Sequence, residues 1–314
     1  MNTVNLDELA TWVSETYRLP GAVCEHLRSH SNYVYSVESD SNRFILKLYG
    51  TVLQHTDDEI LWEIELLDHI AAHGGSVTKA IRSTAGDGLC KYRDYRAVLF
   101  EYAPGEKPKP PFSNELYYNE GIALGAIHKA ADSFISTHNR KPLDVDYLIN
   151  KPLPQILSSL TNDDDKQFFV SFSEILAQKI SDFAQLGLDF GPIHGDATLD
   201  NLHVSGNGTV TWYDFDSGGP GWRAYDLQGW ALLENIPDFL EKREAFLKGY
   251  QEIRSISTND LAASPYLHAA SELWGFGLDL NRQTLEGAKS IAPTFITERV
   301  AAIRNRQAQL RILE

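Results

Sequence analysis

Cysteine is nearly missing from this 314-residue chain, where Cys24 and Cys90 stand far apart. Two isolated thiols build neither a disulfide framework nor a zinc site, so a reducing compartment is expected. Basic side chains are also scarce, 28 Lys and Arg against 43 Asp and Glu. The resulting formal net charge of −15 argues against a nucleic-acid partner, which asks for a basic stripe. That charge suits a cationic ligand and equally suits plain solubility. No apolar run approaches the roughly 20 residues that cross a bilayer. The opening Met1-Asn2-Thr3-Val4-Asn5-Leu6-Asp7-Glu8 lacks the basic and apolar parts of a secretory signal. A cytoplasmic protein with no membrane partner is expected. What remains is ordinary globular composition, 43% hydrophobic and 23% charged, in a chain long enough for two joined lobes.

The first hundred residues read as strands around one helix. Tyr33 to Val37 and Arg43 to Tyr49 alternate as strands across the turn-rich Glu38-Ser39-Asp40-Ser41-Asn42, and Arg96 to Tyr102 is a third. Glu59 to Ala72 places Ile60, Ile64 and Leu67 on one helical face and stops at Gly74-Gly75. The proline-rich stretch from Ala103 to Pro111 can continue neither a helix nor a central strand, which makes it the lobe boundary. Residues 1–103 are expected to form a small mixed α+β lobe, and 104–314 a larger helical one interrupted by a hairpin between about Ile193 and Phe215.

The polar residues around that hairpin carry the chemistry. His194-Gly195-Asp196-Ala197-Thr198-Leu199-Asp200-Asn201 is followed by Asp214-Phe215-Asp216, with Asn207-Gly208 between them. Asn-Gly is the preferred pair for a two-residue type I′ turn. A hairpin centred there pairs Gly206 with Thr209 and, counting outward, Asn201 with Asp214. An amide oxygen and a carboxylate then meet just beyond Asp196, a sensible way to hold Mg²⁺, which takes few protein ligands. In Phe44-Ile45-Leu46-Lys47-Leu48-Tyr49, the strand period puts Lys47 on a face with Ile45 and Tyr49, where an ammonium needs a partner. Glu63 points with the apolar stripe of the following helix and is expected to pair with Lys47, leaving the ammonium to hold nucleotide phosphates.

Together Lys47, Glu63, the HGDxxxxN run and the Asp-Phe-Asp resemble the aminoglycoside phosphotransferase family, a branch of the protein-kinase-like fold that includes choline kinases. The run from Asp214 to Leu227 is especially similar to bacterial homoserine kinases and stress-response kinases. The likeness spans roughly Leu27 to Asn281. It implies a two-lobed kinase-like fold and transfer of the γ-phosphate of ATP to a hydroxyl of a small molecule, such as an aminoglycoside-like antibiotic or an amino alcohol like homoserine. A stress-response type Ser/Thr protein kinase of the same fold is the alternative. The resemblance makes Asp196 the catalytic aspartate and Asn201 and Asp214 the Mg²⁺ ligands. It makes Lys47 a phosphate contact fixed by Glu63, and Asp226 the buried brace of the catalytic loop. His194 becomes a structural residue. Leu99-Phe100-Glu101-Tyr102-Ala103 resembles the hinge, with backbone groups of Glu101 and Ala103 facing adenine and Phe100 as gatekeeper; so bulky a gatekeeper leaves GTP open as a donor.

Two departures bear on the substrate. Ser29-His30-Ser31-Asn32 stands where protein kinases carry a Gly-rich loop, which makes Ser31 and Asn32 the candidate phosphate-loop residues. Thr198 occupies the position where protein kinases carry lysine, and the span from Asp214 to Asp226 is too short for a peptide-docking platform. Both weigh toward a small acceptor. Among the remaining residues, His128 reads as a core histidine and Asp163-Asp164-Asp165 as a helix start or solvated loop. Trp222, Trp230 and Trp274 read first as core aromatics. Glu234, Glu272 and Asp279 are candidates for binding an amine.

Overall fold

The computed structural model describes residues 4–29, 31–50, 52–227, 238–286 and 294–313, with backbone alone over 283–286. His30, Trp230 and Glu234 lie outside the described residues.

A capped helix, α1 (Leu6–Tyr17), precedes a six-stranded sheet built from β1 (Val23–Ser29), β2 (Tyr33–Ser39), β3 (Asn42–Leu48), β4 (Ala80–Ile81), β5 (Cys90–Tyr92) and β6 (Tyr95–Glu101). The order is β1-β2-β3-β6-β4, with β5 also on β6, and each pairing is antiparallel. Between β2 and β3, Asp40 and Ser41 both take positive φ, 46° and 65°, while Ser39 pairs with Asn42. That is a two-residue type I′ turn in a sequence without Asn-Gly. Helix α2 (Asp57–Ala72) begins two residues before the expected Glu59, because Thr56 and Glu59 form a reciprocal capping box. Its buried residues include Ile60, Ile64 and Leu67, the stripe read from the period.

Beyond a segment without helix or strand come α3 (Asn114–Ala130), α4 (Leu153–Ser159), α5 (Asp163–Gln185), α6 (Phe239–Ile253), α7 (Thr258–Glu286) and α8 (Phe295–Leu310). Two small ribbons are set among them: β7 (Phe190–Ile193) with β10 (Gly219–Trp222), and β8 (Leu202–Val204) with β9 (Val210–Trp212). Asn162 caps α5, so the acidic run opens a helix, where its charge suits the dipole. The fold is thus the expected one, an antiparallel-sheet N-terminal lobe with a helical C-terminal region. The division at 103/104 follows the last strand of the six-stranded sheet but does not divide the core. One apolar cluster joins Ile60, Val98 and Phe100 to Tyr117, Trp212 and Phe246. A second lies among α5, α7 and α8, and a third between α1 and the sheet. Among the described residues no helix is long and apolar enough to cross a membrane.

The hairpin register differs from the expected one by a residue. Leu202 pairs with Trp212 and Val204 with Val210, which sets Asn201 opposite Tyr213, not Asp214. The loop is a three-residue one: Gly208 N donates to Ser205 O, Ser205 N donates to Thr209 O, and Gly208 alone has a positive φ, +83°. This is a turn followed by a left-handed bulge residue, a form Asn-Gly serves as well as it serves type I′.

Candidate active site

Strand β7 ends at Ile193 and delivers His194, Gly195 and Asp196. Gly195 has φ +78°, and a Cβ there would lie 2.3 Å from Ser217 O, so only glycine brings this turn so close to the Asp-Phe-Asp segment. Buried Asp226 braces the turn, accepting from His194 N at 2.6 Å and Gly195 N at 2.8 Å. His128 stands behind it, 3.0 Å from Asp226 and 2.7 Å from the Tyr250 hydroxyl. His128 is therefore a core histidine with both nitrogens engaged. Those of His194 are engaged as well: Nδ1 accepts from Asp196 N at 3.2 Å, and Nε2 donates to Tyr213 O at 3.0 Å. With no nitrogen left to take a proton from substrate, His194 shapes the loop.

Asp196 follows with its Oδ2 accepting from Asn201 Nδ2 at 2.7 Å, and the same amide donates to Asp196 O at 2.9 Å. Burial pushes the Asp196 carboxyl above its ordinary value. Both Asn201 donor bonds turn toward Asp196, so its Oδ1 is the group left to meet a cation. Asp214 arrives through a left-handed residue, φ 68° and ψ 60°, strained geometry of the kind found at functional sites. Its Oδ1 accepts from Lys47 Nζ at 2.6 Å, and its Oδ2 accepts from Arg28. Burial alone would raise this carboxyl; Lys47 and Arg28 outweigh it and hold Asp214 well below the usual carboxylate range. Burial, and then the charge of Asp214, pushes neighbouring Asp216 up to about 7.

The expected Lys47–Glu63 pair is not formed. The ammonium, 5% exposed, lies 2.6 Å from Asp214 and 3.7 Å from Asp216. Burial works against its charge, but Asp214 overcomes this and keeps Lys47 protonated. Glu63 instead faces Arg140 at 3.8 Å and accepts from the Tyr49 hydroxyl at 3.3 Å. The exchange has a simple cause: Asp214 brings a full charge against the lysine, while the helical region supplies Glu63 with its own cation.

Asn32 is also bound differently from expectation. Its Oδ1 accepts from Gly50 N at 2.9 Å and its Nδ2 donates to Asp216. The residue thus ties the β1–β2 loop to the Asp-Phe-Asp segment. A Cβ on Gly50 would sit 2.4 Å from Ser31 O, so close packing fixes the loop from its other side too. In the hinge, Glu101 N donates to Lys79 O and Ala103 O accepts from His203, so a base would use the Glu101 carbonyl and the Ala103 N–H.

Two cavities meet at this cluster. One, about 340 Å³, lies under the hinge between Val34, Ile45, Leu67, Phe100 and Tyr213. The other, about 410 Å³, is lined by Ser31, Asp196, Asn201 and Asp214 and also by Tyr225, His268, Glu272, Trp274 and Arg299. Arg28, Val34, Lys47 and Asp214 line both. Trp274 is thus a cavity residue, whereas Trp222 packs edge-on against Phe190. Glu272 lines the cavity but is paired with Arg306 at 3.2 Å, and Asp279 with Arg282 and Arg299 at 2.9 and 2.6 Å. Neither offers an amine an unpaired carboxylate.

A divalent cation fits the donors at the junction. Among the described residues no three or more His, Cys, Asp or Glu side chains are grouped to hold a metal. One carboxylate of Asp214 and the amide oxygen of Asn201 are hard donors of the sparse kind that Mg²⁺ accepts when water and phosphate complete its shell.

Two functional residues escape a reading of the sequence. Arg28 belongs to a strand not anticipated there, and its one signal is a guanidinium beside a polar loop in a chain poor in basic residues. Arg140 carries no signal. Only 9% exposed, it donates to Gly218 O at 2.8 Å, Glu59 O at 2.9 Å and Asp216 O, clamping α2 to the segment that holds Asp214. Arg140→Met is expected to lower stability by about 3–5 kcal/mol, because it strips Glu63 of its cation and leaves buried carbonyls without donors. Urea unfolding measures this, and a loss under about 1 kcal/mol would contradict the clamp.

Known proteins resemble this chain in sequence and in fold. The model of the phosphotransferase enzyme family matches residues 23–263. An uncharacterised protein of Deinococcus radiodurans is 32% identical over 299 residues, 91% of this chain and 85% of that one. The amicoumacin kinase of Bacillus subtilis is 26% identical over 219 residues, 67% and 62% of the two chains. Among solved structures, a microcompartment-associated aminopropanol kinase superposes with a TM-score of 0.75 at 19% identity, covering 96% of this chain and 95% of its own. An amicoumacin kinase in complex with AMP-PNP, Ca²⁺ and Ami gives 0.74 at 20%, covering 95% and 92%. The protein-kinase alternative finds no support among these relatives.

Proposed function

The chain belongs to the phosphotransferase enzyme family, and from that premise we propose that it moves the γ-phosphate of ATP to a hydroxyl of a small amine-bearing alcohol. One observation carries the reading: Asp196 lines the second cavity together with Lys47 and Asp214, and those two also line the apolar hinge cavity. The nucleotide base occupies the hinge cavity against Phe100, using the Glu101 carbonyl and the Ala103 N–H. Lys47, held charged by Asp214, receives the phosphates as they enter. Asp196 orients the acceptor hydroxyl and takes its proton, and its raised affinity for protons makes it the better base. Mg²⁺, held by Asp214 and Asn201, would supply neutralisation of the phosphate charge. Lys47 and Asn201 are buried, and low-dielectric surroundings strengthen contacts of this kind.

Aminopropanol is by its name an amino alcohol, and the kinase of that name shares this fold. Acceptors of that kind, homoserine among them, and aminoglycoside-like antibiotics are the classes to test first. The paired state of Glu272 and Asp279 favours an acceptor with one amine over a heavily cationic one. ADP release measured across amino alcohols, aminoglycosides, choline, sugars and nucleosides, each with ATP and GTP, tests the reading. Turnover well above the acceptor-free rate on an amino alcohol is expected. Transfer confined to protein substrates would overturn it.

A further inference from the structure

Asp214 carries two cations, and they are not equivalent. Lys47 is buried and anchored in the middle of the sheet on β3, while the Arg28 side chain is 53% exposed at the end of β1. The pairing of β1 with β2 is interrupted between His26 and Arg28, so Leu27 is an extra residue in the ladder. A bulge of this kind re-aims the side chain that follows it. Here it turns Arg28 across the cleft to a carboxylate 186 residues away. Arg28 also lines both cavities, at the point through which terminal phosphates must pass.

The charges constrain what happens at Asp214. A divalent cation on this carboxylate would stand beside an ammonium and a guanidinium together, with Asp216 as the other acid facing Lys47. Of the two cations the exposed guanidinium is the one free to leave, because Lys47 is buried on β3. Phosphates meanwhile need donors on the small-lobe side. This chain has no Gly-rich loop there, and the amide of Asn32 is spent on Gly50 and Asp216. A guanidinium suits phosphate oxygens through two parallel N–H donors.

On the phosphotransferase reading, we propose that Arg28 is a two-position residue, paired with Asp214 in the arrangement seen here and moved onto the terminal phosphates when a divalent cation takes its place. Arg28 then acts as competitor toward the metal and as ligand toward the nucleotide. A residue that merely braced the loop would affect both in the same sense.

Full-length wild type, Arg28→Ala and Arg28→Lys test this by calorimetry without any acceptor. With Mn²⁺ alone, Arg28→Ala is expected to bind the metal about 10-fold more tightly than wild type. With AMP-PNP and Mg²⁺, the same variant is expected to bind about 10-fold more weakly, with adenosine affinity unchanged. Arg28→Lys, which keeps the charge without the paired donors, falls between. Metal affinity that is unchanged or lower in Arg28→Ala, or adenosine and AMP-PNP affinities that fall together, would overturn the proposal. Failure of wild type to bind AMP-PNP at all would instead sink the phosphotransferase reading and the inference with it.

Discussion

Asp196→Asn should lower kcat by roughly 10²–10⁴-fold while the fold stays intact. Asparagine matches the carboxylate in shape, and its carbonyl oxygen can still accept from Asn201 Nδ2, the contact that orients Asp196 now. The amide cannot take a proton, so the substitution removes the base and little else. Stability should not fall, because burial already disfavours the charge of this carboxylate. Nucleotide affinity should hold, since the hinge and Lys47 are untouched. Steady-state kinetics with the acceptor found by ADP release, beside AMP-PNP titration of the same preparation, separates these effects. A kcat within about threefold of wild type would remove Asp196 from proton transfer and leave positioning alone to account for catalysis.

Local patterning made part of this molecule legible. The alternation around Lys47 and the helical stripe of Ile60, Ile64 and Leu67 each belong to one element, and each formed as read. The HGD and Asp-Phe-Asp segments were legible for another reason: their polar side chains cluster in sequence before they cluster in space. What failed was whatever depends on a choice between two satisfactory partners. Asn207-Gly208 supports both a two-residue and a three-residue loop, and only the wider register sets Asn201 opposite Tyr213. Lys47 had Glu63 within sequence reach, yet Asp214 lies 167 residues on and binds it more directly. Arg140, which settles the fate of Glu63, reaches partners 76 to 81 residues away from a segment without periodicity. Glu272 and Asp279 were recognisable as acidic positions in the helical lobe. The arginines on α8 that neutralise them become visible only once that helix is packed.

Asp214→Ala should abolish magnesium-dependent nucleotide binding, a loss of at least about 100-fold in AMP-PNP affinity, with adenosine binding within about threefold of wild type. The base-binding cavity owes little to this side chain; the phosphate end owes it a metal ligand and the anchor of Lys47. Removing the carboxylate leaves a buried ammonium with Asp216 at 3.7 Å as the nearest acid. Asp216 is raised by burial and then by the charge of Asp214. With that charge gone it ionises more readily and takes over as counterion, so the small lobe should survive. Backbone strain is the confounding effect, because residue 214 sits in left-handed geometry that alanine tolerates about 1 kcal/mol less well than glycine. Asp214→Gly resolves it. If AMP-PNP binding responds to Mg²⁺ in neither variant while their unfolding midpoints differ, the loss belongs to the carboxylate and not to the turn. A magnesium response surviving in the glycine variant would take Asp214 out of the metal site and point to Asp216, whose carboxylate already faces the same lysine.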